Sequence, residues 1–271
     1  MNCKKVSENK QHFALVTGAS SGIGLAISRE LAGYGFSILM VSNMEDELFR
    51  AAGEIEKTRD VTATPLFMDL ALPDSAEKLH GYCTEHGIKV KILVNNAGIF
   101  FFRDICDTPP ERITVINNLH VRTPVMLCRL FAEQMILEKR KGYIVNMASI
   151  AAQMMMPGIT LYNATKSYLR CFSRAMRCEV LDRGVSITTI CPGAVATGLY
   201  GLAPGYMKLG IRLGIILTPE RLARRVIKKM FQRKAEYIPG GIVNRLFILI
   251  VNLLPEFLVR WLKRKIDRRI K

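Results

Sequence analysis

The sequence predicts an α/β protein: one doubly wound parallel sheet in a single domain, followed by a C-terminal amphipathic helical extension. Three observations predict it. Short β-rich runs alternate with helix-spaced apolar stretches from His12 to Ile238. The first run ends in glycines and opens directly into a helix, a local pattern that suits an anion-binding turn. A chain of 271 residues that is 49% hydrophobic can cover such a sheet on both faces, and it changes character after residue 240.

Taken in order, His12 to Thr17 reads as the first strand, and Ile23, Leu25, Ala26, Ile27 and Leu31 carry helical spacing after it. Between them Gly18, Ser20, Ser21, Gly22, Ile23 and Gly24 form a turn where bare amides and a helix dipole meet and a phosphate can approach the backbone. Phe36 to Val41 is the second strand, Glu45 to Thr58 a helix, and Val61 to Met68 the third strand, ending at Asp69 and Leu70. A helix follows near Pro73, and Val90 to Val94 is an apolar run of strand length that delivers Asn95, Asn96, Ala97 and Gly98. Glu111 to Glu138 reads as one or two helices, Gly142 to Met147 as the fifth strand, and Tyr162 to Arg183 as one long helix. Val185 to Cys191 is the sixth strand. Pro219 to Arg233 is a helix, and Tyr237-Ile238 a last short strand.

Chemistry concentrates on the long helix. Tyr162 and Lys166 lie four apart on one face, and Ser149 stands thirteen residues upstream. A phenol, an ammonium that favours its ionisation and a hydroxyl donor can together serve one carbonyl oxygen. The ordered set Thr17 to Gly24, Asn95 to Gly98, Asn146 to Ser149, Tyr162 with Lys166, and Pro192-Gly193 resembles the short-chain dehydrogenase/reductase family over about 190 residues. The resemblance implies a Rossmann-type catalytic domain over residues 1–240 and hydride transfer between a nicotinamide cofactor and a carbonyl or secondary alcohol. It implies Tyr162 as the proton donor or acceptor and Lys166 as the group that keeps the phenol acidic and grips the nicotinamide ribose. Ser149 would orient the substrate oxygen. It places Asp69 and Leu70 at the adenine, Asn96, Ala97 and Gly98 along the cofactor cleft, and Pro192, Gly193, Val195 and Thr197 at the nicotinamide amide and diphosphate. The family's fourth catalytic position, normally asparagine, falls on His120, which would hold a water linking Lys166 to solvent; a one-turn slip would put Asn117 there instead.

Ser42-Asn43 after the second strand supplies neither the acid that selects NAD(H) nor the arginine that selects NADP(H). The missing carboxylate favours NADP(H), while Glu45 and Asp46 keep NAD(H) open. The resemblance makes residues 198–217 a substrate lid. That stretch is apolar here, and with Met154, Met155 and Met156 it suits a hydrophobic substrate of the 3-ketolipid, 3-ketosphinganine or sterol type. A non-catalytic scaffold that senses cofactor is the alternative, against which the intact Ser149, Tyr162 and Lys166 count.

The formal charge is +16, and Arg221 to Lys271 holds 15 Lys and Arg against Glu236, Glu256 and Asp267. Within residues 241–271, Leu246 to Leu254 is apolar but too short to span a bilayer. Leu258, Trp261, Leu262, Ile266 and Ile270 share a helix face flanked by cations. Residues 246–271 are thus expected to meet an anionic membrane surface, the protein's own core or a sister subunit, whereas nucleic acid is not expected, for lack of a motif or an aromatic platform. Seven cysteines without a CxxC pair argue against a disulfide framework and a zinc site, so no metal is expected. With no apolar leader ahead of the first strand, the expected location is cytoplasmic, peripheral at the inner membrane surface. The family implies a homodimer or homotetramer pairing through the helices that hold Arg122 and Tyr162.

Overall fold

The structure, a computed structural model, describes residues 12–197, 205 and 216–270, with side chains as far as residue 265. Seven strands form one sheet in the order β3-β2-β1-β4-β5-β6-β7, every neighbouring pair parallel. They are β1 (Phe13–Thr17), β2 (Ser37–Ser42), β3 (Ala63–Phe67), β4 (Val90–Asn95), β5 (Gly142–Met147), β6 (Val185–Ile190) and the short β7 (Glu236–Tyr237). Between and after them run α1 (Gly22–Gly33), α2 (Glu45–Thr58), α3 (Ser75–Glu85), α4 (Pro110–Asn117), α5 (Thr123–Leu137), α6 (Thr160–Val180), α7 (Pro219–Phe231), α8 (Gly241–Leu253) and α9 (Glu256–Ile270).

Alternation along each strand sends side chains to two cores. Val16, Met40, Val94 and Val145 pack under α1, α2 and α7, while Leu15, Leu39, Leu93 and Ile144 pack under α3, α5 and α6. This is why the strands read as continuous apolar runs: a parallel sheet covered by helices on both faces has no wet side. The chain reverses its direction of winding between β1 and β4, and a crevice opens at the carboxyl ends of those two strands.

Two expectations about elements change. The stretch Glu111 to Glu138 is two helices joined by a π-helical turn at Asn118–Arg122, which spacing alone did not reveal. The helix that carries Tyr162 and Lys166 starts at Thr160 and ends at Val180, because the last turn before β6 relaxes at Leu181 to Gly184. The apolar lid expected at 198–217 falls outside the described residues except for 205, 216 and 217. Leu217 bridges in parallel to Val195, and its amide donates to the Ala194 carbonyl at 3.1 Å.

Candidate active site

The crevice is a cleft of about 800 Å³ that runs from the glycine turn to the foot of α6. Its floor is built from backbone. Gly18 has φ of +63°, and a Cβ there would lie 2.9 Å from the Ala97 Cα, so only glycine lets the turn lie against the end of β4. Gly24 is tighter still, with a Cβ landing 2.0 Å from the Gly18 carbonyl oxygen. Ser21, the N-cap of α1, makes no side-chain capping bond, which leaves the first-turn amides facing the cleft for an anion. Thr17 ties the turn to β4: its hydroxyl donates to the Val94 carbonyl at 3.2 Å and accepts from the amides of Asn96 and Ala97 at 2.9 and 3.0 Å. Asn96 donates in return to the Thr17 carbonyl at 2.9 Å.

Of the sequence-expected cofactor residues, Gly18, Ser20, Ser21, Gly22, Ile23, Ser42, Asn43, Asp69, Leu70, Asn96, Ala97, Gly98, Pro192, Val195 and Thr197 line this one cleft, with Tyr162 and Lys166 at its far end. Gly24 and Gly193 stand behind the lining: Gly24 acts through the close packing just described, and Gly193 lies under Asn244 of α8. Beside the glycine turn Ser20 and Ser42 share a 2.9 Å hydrogen bond, and Ser42 accepts from the Met44 amide at 3.2 Å. Asp69 folds back to accept from the Ala71 amide at 2.9 Å; it does not cap α3, whose N-cap is Asp74.

The opposite end carries the titratable groups. Tyr162 is buried, and the Lys166 ammonium sits 5.7 Å from the centre of its ring. Lys166 donates to the Met147 carbonyl at 3.0 Å, which aims the ammonium along the end of β5. Burial brings its pKa down from 10.5 to about 8, since the interior disfavours the charged form. Ser149 accepts from the Ala151 amide at 3.1 Å, an arrangement that fixes the hydroxyl and leaves its hydrogen for donation. Ser149 itself stands just behind the lining formed by Met147 and Ala148.

His120 lies in the π-helical turn, 1% exposed, and reaches the cleft; Asn117 is exposed and does not line it. Both nitrogens of the His120 ring are engaged by the protein. Nε2 accepts from the Ile99 amide at 3.0 Å and Nδ1 lies 3.1 Å from the Thr165 hydroxyl, so a neutral ring has already used its one acceptor and its one donor. This pairing fixes the tautomer with hydrogen on Nδ1. Thr165 passes its own hydrogen to the Tyr162 carbonyl at 3.0 Å. Burial, reinforced by the Lys166 charge, holds the imidazole pKa well below its usual 6.5, which keeps it neutral. The histidine thus links the loop after β4 to α6.

A family model described as short chain dehydrogenase matches residues 12–203. The chain belongs to that family. As a short-chain dehydrogenase it is an oxidoreductase acting on CH–OH and C=O groups. A zebrafish (Danio rerio) very-long-chain 3-oxoacyl-CoA reductase-B is 31% identical over 254 residues, covering 91% of this chain and 77% of that protein. A solved structure of a 7beta-hydroxysteroid dehydrogenase, studied for its stereoselectivity, superposes with a TM-score of 0.83 at 25% identity, covering 95% of this chain and 98% of that one. L-Sorbose reductase from Gluconobacter frateurii, solved with NADPH and L-sorbose, gives a TM-score of 0.74 at 26% identity over 85% of this chain and 95% of that one. The relatives thus include lipid, steroid and sugar substrates on one cofactor scaffold.

Several residues of this short-chain dehydrogenase site escaped sequence reasoning. Arg29, from the second turn of α1, and Glu220, from the start of α7, both line the cleft. Arg29 is one full turn beyond the glycine motif and reads as a solvated helix cation. Thr165 sits inside the Tyr162–Lys166 interval without any periodic signal. Asn95, next to the cleft residue Asn96, is buried and donates to Asn146 Oδ1 at 2.8 Å, and Asn146 donates to Ser173 at 2.8 Å. That network crosses from β4 through β5 to α6. Among the described residues no group of three or more His, Cys, Asp or Glu side chains is placed to hold a metal ion.

Proposed function

We propose that this protein is an NADP(H)-dependent oxidoreductase that interconverts a carbonyl and a secondary alcohol on a hydrophobic substrate of the 3-ketolipid, 3-ketosphinganine or sterol type. Residues 1–240 are its catalytic unit and 241–271 an appendage. The observation that carries the reaction is the buried pairing of Lys166 with Tyr162 at the end of a cleft whose other end is a bare glycine turn. The dinucleotide fits that cleft: glycines leave the backbone room, and helix amides face where a pyrophosphate belongs. Once bound, the nicotinamide supplies or accepts the hydride.

The chain's own residues do the rest. In reduction, the Tyr162 phenol gives its proton to the carbonyl oxygen as charge develops there, and the Lys166 charge stabilises the phenolate left behind. The Ser149 hydroxyl, with its lone pair already held by the Ala151 amide, donates to the same oxygen, a bond that strengthens in the transition state. His120 and Thr165 hold the helix so that both groups keep their place.

Two features support a hydrophobic substrate. Ile116, Ala151, Ile159, Phe100, Phe101 and Leu161 pack around Tyr162, with Phe100 edge-on to its ring at 5.2 Å between centres. Met155 beside them is 77% exposed. Arg29 supports NADP(H). Among the described residues lining the cleft, the cations are Arg29 and Lys166, and Lys166 is engaged at the far end. Arg29 pairs with Glu54 at 2.7 Å and lines the same cleft as Ser42 and Asn43, where a 2'-phosphate would lodge. Two chains would pair through α5 and α6, which sedimentation would register as a dimer or tetramer. The reaction would take place at an anionic membrane surface, the partner that residues 246–271 fit.

The test is Tyr162→Phe with NADPH and a panel of ketolipids, sterols and polyols. Turnover of the apolar ketones should fall by about 10²–10⁴-fold with NADPH affinity unchanged. A variant that keeps its rate would remove the proton-transfer assignment, and turnover confined to polyols would remove the substrate class.

A further inference from the structure

We infer that α8 and α9 form a dock for an anionic lipid bilayer and that this dock is bolted to the substrate mouth, so that the loops around Tyr162 open next to the membrane surface. The inference rests on the hydrophobic-substrate reading above for its purpose, though its test needs no turnover.

The first observation is that α8 is inverted. A helix on a water-soluble surface buries its apolar stripe. In α8 the contact stripe is Asn244, Ile248 and Val251, of which Ile248 alone is fully buried. Ile242, Val243, Leu249, Ile250 and Leu253 are 54% to 74% exposed. In α9, Phe257 and Trp261 are 67% and 53% exposed. An exposed apolar area carried by consecutive turns of two helices marks an interaction surface.

The second observation is charge. Arg245, Arg260, Arg264 and Lys265 are exposed on the same two helices, with Glu256 the one acid among their described side chains. Lys265 lies 4.9 Å over the Trp261 ring, the pairing of an indole and a cation suited to a headgroup layer. A second copy of this chain would bring identical cations against these in a two-fold contact, whereas anionic lipid neutralises them.

The third observation ties the dock to the site. The Asn252 amide donates to the Gln153 carbonyl at 2.7 Å, in the turn that follows Ser149. Lys263 pairs with Asp104 at 3.0 Å and lies 5.6 Å over the Phe102 ring. Phe102 in turn covers Gly158, where an added Cβ would come within 2.5 Å of the ring. Both loops that flank Tyr162 are therefore fastened to the helix pair. The two helices meet at 104°, and each carries a fastening to the body; no single described helix is long and apolar enough to cross a membrane.

The experiment is sedimentation of the full chain with vesicles of phosphatidylcholine alone or with phosphatidylglycerol, read together with hydrogen exchange. The protein should pellet with the anionic vesicles and be released about tenfold by added salt. Leu253→Asp and Phe257→Asp should each abolish pelleting while NADPH binding persists, which shows that the variants are folded. Vesicles should slow amide exchange in residues 100–108 and 150–158 of the parent chain and not in the variants. No pelleting, pelleting indifferent to the two variants, or binding without protection of those loops would overturn the proposal. So would a dimer split by Leu253→Asp, which would make the face a contact between copies. If the substrate reading fails, the panel shows it while the vesicle result stands.

Discussion

The helix α1 and the helix α8 are nearly equal in length and α8 is the more apolar, yet it is α1 that buries its apolar side chains. In α1, Gly24, Ala26, Ile27, Ser28, Leu31 and Ala32 are buried against the sheet, and its amino end faces the cleft. In α8, Ile248 is buried, Val251 is half-buried and the other apolar side chains are exposed. The difference teaches that apolar content does not place a helix; the side chains at contact distance do. Small residues let α1 come close to β1 and to the turn. The bulky run of α8 buries Ile248 alone among its apolar side chains, and Asn252 fastens it to the Gln153 carbonyl.

The sharpest way to break this contrast is Gly24→Ala. A methyl group placed against the Gly18 carbonyl must push the turn off β4, so NADPH binding should be lost in calorimetric titration and the melting temperature should drop by several degrees. Retention of both would show that the turn can yield. Next in size is the pH response of the buried end. Lys166 carries its charge below about 8 and loses it above, so kcat/KM for reduction should decline as pH rises through that value. In Lys166→Met that limb should vanish with most of the activity; a parent profile flat to pH 10 would contradict the buried ammonium. At the other end of the cleft, Arg29→Gln should weaken NADPH by about tenfold, roughly 1.4 kcal/mol, and leave NADH unchanged. Equal losses for both cofactors would move Arg29 out of the 2'-phosphate role. The smallest effect is expected at α8. Leu253→Ser, at a side chain 73% exposed, should change unfolding free energy by no more than about 0.5 kcal/mol. A loss of core size would mean that the face is covered in solution.

The family model and the sheet bear out the expected membership and fold, and the reason is local. Thr17 to Gly24 and Asn95 to Gly98 encode turns at strand ends, and a turn of fixed backbone shape is written in consecutive residues. The same holds for the apolar runs of the central strands, which are buried on both faces. His120 shows the limit. Its place on the helix was legible, and its partners were not, because they are Ile99 and Thr165, residues 21 and 45 positions away. The Asn95–Asn146–Ser173 network is likewise a meeting of three elements that no spacing announces.

By itself the sequence determined the strand order's raw material: seven runs, their glycine turn, the Tyr162–Lys166 pair and the surplus of cations after residue 220. Tertiary structure alone decided which of these meet. It set Arg29 on the rim of the cleft, turned the apolar side of α8 outward and fastened α9 to the loops beside Tyr162. The physical reason is range. Backbone turns and periodic burial act within a few residues, whereas contacts between Lys263 and Asp104, or Asn252 and Gln153, exist only after the sheet has brought distant segments side by side.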